Sequence, residues 1–305
     1  VELVEGHGTG TKAGDAAEFG GLEIAFNNND REDKQWCALG SVKSQIGHTK
    51  AAAGAAGLFK AVMALQNKSL PPTIKVSEVN DKLDIQNTAF YINTEARPWI
   101  RGSDHPRRAG VSSFGFGGSN FHLALEEYKG ELLADRKRIL NAELVVITGA
   151  NGAAVAKSAR ELAGRATAEG MLHRLAWESA QAFDVKANAR LAVVATDEAD
   201  LVAKLNKLAG VVDGAPTDAF THPDGSAYGV GKHAGGVAFV FPGQGSQYTH
   251  MGSAIAMAFD AARGPWDRAA DMDLGDNPRI DQMVFPLPKF SDAERTEDET
   301  ALRAT

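Results

Sequence analysis

Along the first 128 residues, short apolar runs alternate with turns punctuated by glycine. Asp15-Ala16-Ala17-Glu18 has the form of a capping box, with Asp15 as cap and Glu18 reaching back, and predicts a helix over 15–26. Residues 37–42 read as a short buried strand. A helix over 50–67 follows, with Thr49 as its cap. Its first turns, Ala51 to Gly57, are alanine and glycine only, which lets another backbone approach closely. Leu70-Pro71-Pro72 ends it. Phe121, Leu123 and Leu125 alternate with His122, Ala124 and Glu126, the pattern of a strand with one buried face.

The charged stretch 126–138 reads as a boundary, and a second, smaller α/β pattern follows it. Strands are predicted over 143–148 and 191–196, and helices over 153–168 and 198–208. Residues 212–232, rich in Gly, Pro and Asp, read as loop. Val237-Ala238-Phe239-Val240-Phe241 is a further strand signal, running into Pro242-Gly243-Gln244-Gly245-Ser246-Gln247. A short helix is predicted over 253–262, and the tail from residue 291 is charged. No internal repeat or low-complexity tract occurs.

Composition narrows the function classes. With 305 residues, 44% hydrophobic and 23% charged, the chain fits about two ordinary globular domains. A net charge of −7 argues against nucleic acid and anionic membrane surfaces as partners. No apolar run approaches the roughly 20 residues of a membrane-spanning helix, and the N-terminus lacks the pattern of a signal peptide. A single cysteine, Cys37, excludes an intrachain disulfide and a multi-cysteine zinc site, so no metal is expected and a cytoplasmic location is. The chain opens on Val1-Glu2-Leu3-Val4-Glu5, without an initiating Met, and is expected to be a piece of a longer polypeptide.

Three segments carry candidate chemistry. In Gly6-His7-Gly8-Thr9-Gly10-Thr11, glycines on both sides of the imidazole allow a tight turn and close approach of a ligand, and two hydroxyls suit a polar, chain-like one. In Ser41-Val42-Lys43-Ser44-Gln45-Ile46-Gly47-His48-Thr49, His48 precedes a helix start, whose positive dipole end disfavours a second positive charge. A neutral imidazole there keeps one N–H to donate, a known way to polarise a carbonyl. In Gly110 to Asn120, glycines 115 and 117 can line a pocket closely while Phe116 supplies a bulky gate. Singly, each segment reads equally well as structural: a turn histidine, a helix cap, a glycine loop, a solvated Lys43, a capping Glu18.

Taken in order, these segments resemble the β-ketoacyl synthase (ketosynthase) family. His7 through Glu18 matches its His-Gly-Thr-Gly-Thr…Gly-Asp…Glu motif, Lys43 through Gly54 its Lys-Ser-x-Ile-Gly-His-Thr-x-Ala-Ala-Ala-Gly motif, and Phe114 through Asn120 its Phe-Gly-Phe-Gly-Gly-Ser-Asn motif. Position 50 is Lys where many relatives are acidic, as in the polyunsaturated fatty-acid branch. The resemblance implies the C-terminal half of a thiolase-like layered α/β fold in residues 1–128. It implies decarboxylative Claisen condensation of an acyl thioester with a malonyl carrier protein. His7 and His48 would be donors to the malonyl thioester oxygen, and Lys43 would organise the site electrostatically. Thr9 and Thr11 would contact pantetheine, Phe116 with Gly115 and Gly117 would line and gate the pocket, and Glu18 and Asn120 would support it. No cofactor would bind directly, the phosphopantetheine arm of an acyl carrier protein serving as substrate carrier. Expected partners are that carrier protein, malonyl and acyl thioesters, the rest of a multidomain synthase, and a second copy in a homodimer.

The family's nucleophilic cysteine belongs upstream of His7, and Cys37 does not fit that place. Residues 236–305 resemble the opening of a malonyl-type acyltransferase, with the Gln244 N–H in its oxyanion loop; its serine nucleophile would lie further on, and Ser246 is not it. Residues 129–235 would be the small α/β linker between the two. The chain alone is therefore expected to be inactive. Val145 to Gly152 imitates a dinucleotide site but lacks the third glycine and the later acidic residue, and Gly229 to His233 lacks P-loop spacing. Two rivals stand beside the enzyme reading. A non-catalytic chain-length-factor-like or docking segment is disfavoured by two intact histidine motifs. A degradative thiolase is disfavoured by two histidines and no late cysteine.

Overall fold

The computed structural model describes residues 1–27, 31–115, 117–131, 140–232, 235–275 and 278–304. Phe116, the expected gate, lies outside them. The chain divides into two compact units, one of Val1–Lys137 with Pro242–Thr305, the other of Arg138–Phe241.

The first unit begins with β1 (Leu3–Glu5), α1 (Lys12–Phe26), β2 (Cys37–Gly40), α2 (Lys43–Ile46) and, after a 3-10 turn, α3 (Ala53–Asn67). It continues with β3 (Ser69–Leu70), β4 (Phe90–Ile92), β5 (Arg97–Pro98), β6 (Arg108–Phe114) and β7 (Asn120–Glu126). Five strands form one sheet in the order β4-β2-β1-β6-β7; β4, β2, β1 and β6 run parallel, and β7 closes the edge antiparallel to β6. Successive residues of the parallel strands serve opposite faces. Leu3, Ala38, Tyr91, Ala109 and Val111 pack with Ala61, Ala64 and Leu65 of α3. Val4, Cys37 and Phe90 pack with Phe19 of α1. Strand β2, Cys37-Ala38-Leu39-Gly40, is covered on both faces, which is why it reads as an unbroken apolar run.

The small-residue start of α3 is used as anticipated: a Cβ on Gly54 would stand 3.1 Å from Ser113 Oγ. Several other expectations change. Helix α1 starts at Lys12, with Thr11 as a cap whose side chain makes no capping bond. Asp15 and Glu18 thus fall inside the helix, where side chains lean toward the N-terminus, and they bond the loop before it rather than the helix end. Thr49 likewise makes no side-chain cap. Strand β7 is not half-buried. Phe121 is 69% exposed and Leu123 47%, because an edge strand is covered only where another element reaches it.

The second unit holds β8 (Glu143–Gly149), α4 (Gly152–Arg165), α5 (Met171–Gln181), β9 (Ala189–Ala195), α6 (Glu198–Gly214), β10 (Phe220–Thr221) and β11 (Ala227–Val230). Its antiparallel sheet, ordered β10-β11-β9-β8, buries Val145, Ile147, Leu191 and Val193 under the three helices. Helix α5 was not expected. The hairpin β10–β11 replaces part of the predicted loop, with Tyr228 buried and bonded through its hydroxyl to the Pro216 carbonyl. The dinucleotide-like turn has a packing role: Asn151 Oδ1 accepts from Ala154 N–H to cap α4, and a Cβ on Gly149 would press 3.1 Å from Ala154 and Val155 side chains.

The acyltransferase-like opening strand is absent. Residues 237–241 are irregular, and no described strand lies beside them to pair with. Residues from 242 onward form α7 (Ser253–Ala258), α8 (Asp260–Ala269), α9 (Ile280–Val284) and α10 (Asp292–Ala304), so the charged tail is a helix. They belong to the first unit. Arg107 Nη2 donates to both carboxylate oxygens of Asp267 at 2.7 and 2.9 Å, the Arg101 N–H donates to Asp267 Oδ1, and Arg97 bonds the Phe285 carbonyl. No described helix is long and apolar enough to cross a membrane.

Candidate active site

Parallel strands leave their binding ground at their carboxyl ends, and a cavity of about 1060 Å³ lies there. His7 follows the end of β1; Thr9 and Thr11 continue the same loop; His48 comes from the turn after α2; Phe114 ends β6, Gly115 follows it, and Asn120 opens β7.

The loop carrying His7 is held by carboxylates. Glu18 accepts from the His7 N–H at 2.6 Å and the Gly8 N–H at 2.9 Å, and Asp15 accepts from the Gly10 N–H at 3.2 Å. Gly8 has φ +43°, and a Cβ there would fall 2.7 Å from that of Ser41. Only glycine meets both demands. Thr9 and Thr11 hydroxyls lie 3.3 Å apart.

The two rings meet edge to face, with centroids 5.8 Å apart. His7 Nδ1 accepts the Phe114 N–H at 3.3 Å, and His48 Nδ1 accepts the Lys50 N–H at 3.0 Å. A nitrogen that accepts carries no proton, so each neutral ring bears its proton on Nε2. His48 thus accepts an N–H at the helix start, where the Thr49 side chain accepts none. Lys50 holds its N–H in place with φ +56°, a strained value for a residue with a side chain. Burial and then the Lys43 ammonium push the His7 pKa below its ordinary value, against the opposing pull of Glu18. Lys43 is itself lowered, by burial first, with Glu5 and Glu18 pulling it back up.

The structure therefore gathers His7, His48, Thr9, Thr11, Gly115, Glu18 and Asn120 around one cavity, and sets Lys43 close enough to bias His7. Gly117 is exposed beside the cavity loop, with φ +83°. Gln244 does not line the cavity and is exposed, in a turn where Ser246 N–H donates to the Gly243 carbonyl. Cys37 is fully buried among apolar side chains, which pushes its thiol far up and leaves it neutral. Sequence reasoning missed Phe114, whose ring lies 5.5 Å from that of His7, and the pair Ser112–His122, whose Oγ and Nδ1 are 3.0 Å apart on the cavity wall. The alternation that put His122 and Ser112 opposite each other across β6 and β7 was the available signal. No cluster of metal-ligating side chains occurs among the described residues.

Comparison with known proteins follows the same motifs. Residues 1–77 match the family model "Beta-ketoacyl synthase, C-terminal domain", and residues 80–188 match "Ketoacyl-synthetase C-terminal extension". The chain is 34% identical over its whole length to a polyunsaturated fatty acid synthase polypeptide of Thraustochytrium sp., of which it spans 12%. It is 41% identical over 82% of its length to erythronolide synthase EryA2 of Saccharopolyspora erythraea, of which it spans 7%. Among solved structures it is similar to the ketosynthase from module 6 of the bacillaene synthase of Bacillus subtilis. That match has 32% identity and a TM-score of 0.42, and covers 74% of this chain and 37% of that one.

Proposed function

The chain belongs to the β-ketoacyl synthase family, as a C-terminal ketosynthase region of the kind found in polyketide and polyunsaturated fatty-acid synthases, and we propose that in its parent synthase it supplies the two-histidine half of a decarboxylative condensing site. The observation that carries this reading is the pair of Nε2–H donors directed by backbone bonds at Nδ1 and facing one cavity.

The chemistry follows from charge. When a malonyl thioester loses carbon dioxide, an enolate develops on its thioester oxygen. The enolate carbon then attacks the carbonyl of a waiting acyl thioester, and the thiolate leaves. Preorganised donors aimed at the enolate oxygen lower that barrier because they need no reorganisation. His7 and His48 are those donors in this proposal. Lys43 keeps His7 uncharged, and Thr9 and Thr11 hold the pantetheine amides. Glu18 and Asn120 support the loops, and Gly115 lines the pocket. The acyl carrier protein brings the malonyl unit on its phosphopantetheine arm, no further cofactor takes part, and the parent works as a cytoplasmic homodimer. Residues 236–305 open an acyltransferase, whose oxyanion loop uses the Gln244 N–H once its own neighbours are present.

The test is His48→Ala in the full-length synthase. Removing one such donor should lower the condensation kcat by about 10²–10³-fold, while acyl loading of the upstream nucleophile persists. The radiolabelled acyl group should be absent from the peptide containing Cys37. Unchanged condensation, or label on Cys37, would overturn the assignment.

A further inference from the structure

A deeply buried ion pair of the first unit takes no part in the chemistry above. Glu5 ends β1, two residues before His7, and its side chain is 2% exposed; Lys60, in the second turn of α3, is 8% exposed, with Nζ 3.0 Å from the Glu5 carboxylate. The other carboxylate oxygen accepts the Val42 N–H, at the turn that opens α2. One carboxylate therefore joins three segments: the strand that delivers His7, the turn that carries Lys43 and leads to His48, and the helix that leaves from His48. Backbone pairing between the first two ends at the bond from the Gly6 N–H to the Gly40 carbonyl. Beyond it, Glu5 is the side chain that continues the connection.

The room for this node is made by missing side chains. A Cβ on Gly57 would lie 3.0 Å from Glu5 Cγ, and one on Gly40 would fall 2.1 Å from Thr73 Oγ1 and 3.6 Å from Lys60 Nζ. Stability alone is a weak reason to keep such a pair, since replacing a buried ion pair by apolar groups of similar size is often neutral or favourable. Neither Glu5 nor Lys60 lines the cavity.

We propose that Glu5, held by Lys60, is a positioning residue that fixes the distance between His7 and His48 by gripping the Val42 N–H. The inference rests on the condensing role assigned above. A misplacement of about 1 Å in such a site can cost on the order of 10²-fold in rate.

Two double variants of the full-length synthase separate positioning from charge burial. Both carry Lys60→Met, so that no unpaired ammonium stays buried. With Glu5→Gln, a carbonyl oxygen still accepts from Val42; with Glu5→Leu, nothing does. The Gln variant should keep condensation kcat within about twofold of wild type, and the Leu variant should lose about tenfold or more, on the scale of that misplacement cost, with the KM for malonyl carrier protein unchanged. Carbethoxylation of single histidines, followed by peptide mass spectrometry, gives a readout independent of activity. His7 and His48 should change their rates in the Leu variant only, while His173 in the second unit serves as the constant reference. Equal kcat and equal labelling in the two variants would overturn the proposal. A wild-type synthase without condensing activity would instead overturn the function, and the labelling comparison would then decide the positioning by itself.

Discussion

In His7 the Nδ1 nitrogen is committed to the Phe114 N–H, and protonation there would break that bond. His7 also faces Lys43, His48, Glu18 and Asp15, and the net effect of burial and these charges is a lowered pKa. The sign of the pH dependence follows. A protonated ring still donates from Nε2 but loses the Phe114 bond that orients it, so activity through His7 is retained above its depressed pKa and falls as pH drops through it. The acid limb of kcat/KM that His7 contributes should therefore lie below 6.5, the ordinary histidine value. It should move up toward that value in Lys43→Met, as measured by pH–rate profiles. A Lys43→Met profile identical to wild type would contradict this. The sequence already placed both histidines, because glycines around His7 and a helix start after His48 leave a local trace. It could not assign the ring nitrogens, since the donors sit at Phe114, 107 positions from His7, and at Lys50 in a left-handed backbone that no residue pattern announces.

At the level of elements, α1 departs most instructively from its sequence pattern. A capping box and a carboxylate that reaches past the helix look alike in sequence: both need an acid near the helix start. The difference was set by the loop, where the His7 and Gly8 N–H groups both donate to Glu18. Glu18→Ala should leave both unpaired at a cost of about 1–3 kcal/mol. Denaturant titration should report that loss, and condensation should fall with it; a variant as stable as wild type would show that water replaces the carboxylate. Strand β2 was legible because two-sided burial gives an apolar run. Strand β7 misled, because alternation is read as one covered face while an edge strand can carry the same pattern uncovered. Helix α5 was missed although Leu172, Leu175, Ala176 and Ser179 are buried at helical spacing, and the β10–β11 hairpin hid in a polar stretch in which Ser226 and Tyr228 are buried.

For the molecule as a whole, the long-range contacts that group residues 242–305 with the first block had no signature in local pattern. Arg107 is 5% exposed, and its bidentate partner Asp267 also receives Arg263 Nε at 3.2 Å. Removing one member of a buried, hydrogen-bonded pair typically costs about 3–5 kcal/mol. Asp267→Ala should approach the lower end, because Asp267 is partly exposed. Limited proteolysis should then release the segment from residue 242 onward earlier than in wild type. An unchanged cleavage rate would mean that the apolar cluster around Phe285 and Leu302 holds the segment alone.

The run Val237-Ala238-Phe239-Val240-Phe241 has a practical consequence of its own. Its valines and phenylalanines are 81–91% exposed, it carries no charge and no proline, and its amides pair with no described strand. Such a stretch is a template on which a second molecule can lay its own copy. Concentrated solutions of the isolated polypeptide should turn cloudy on warming and bind amyloid-reporting dyes, whereas Val240→Lys should keep them clear.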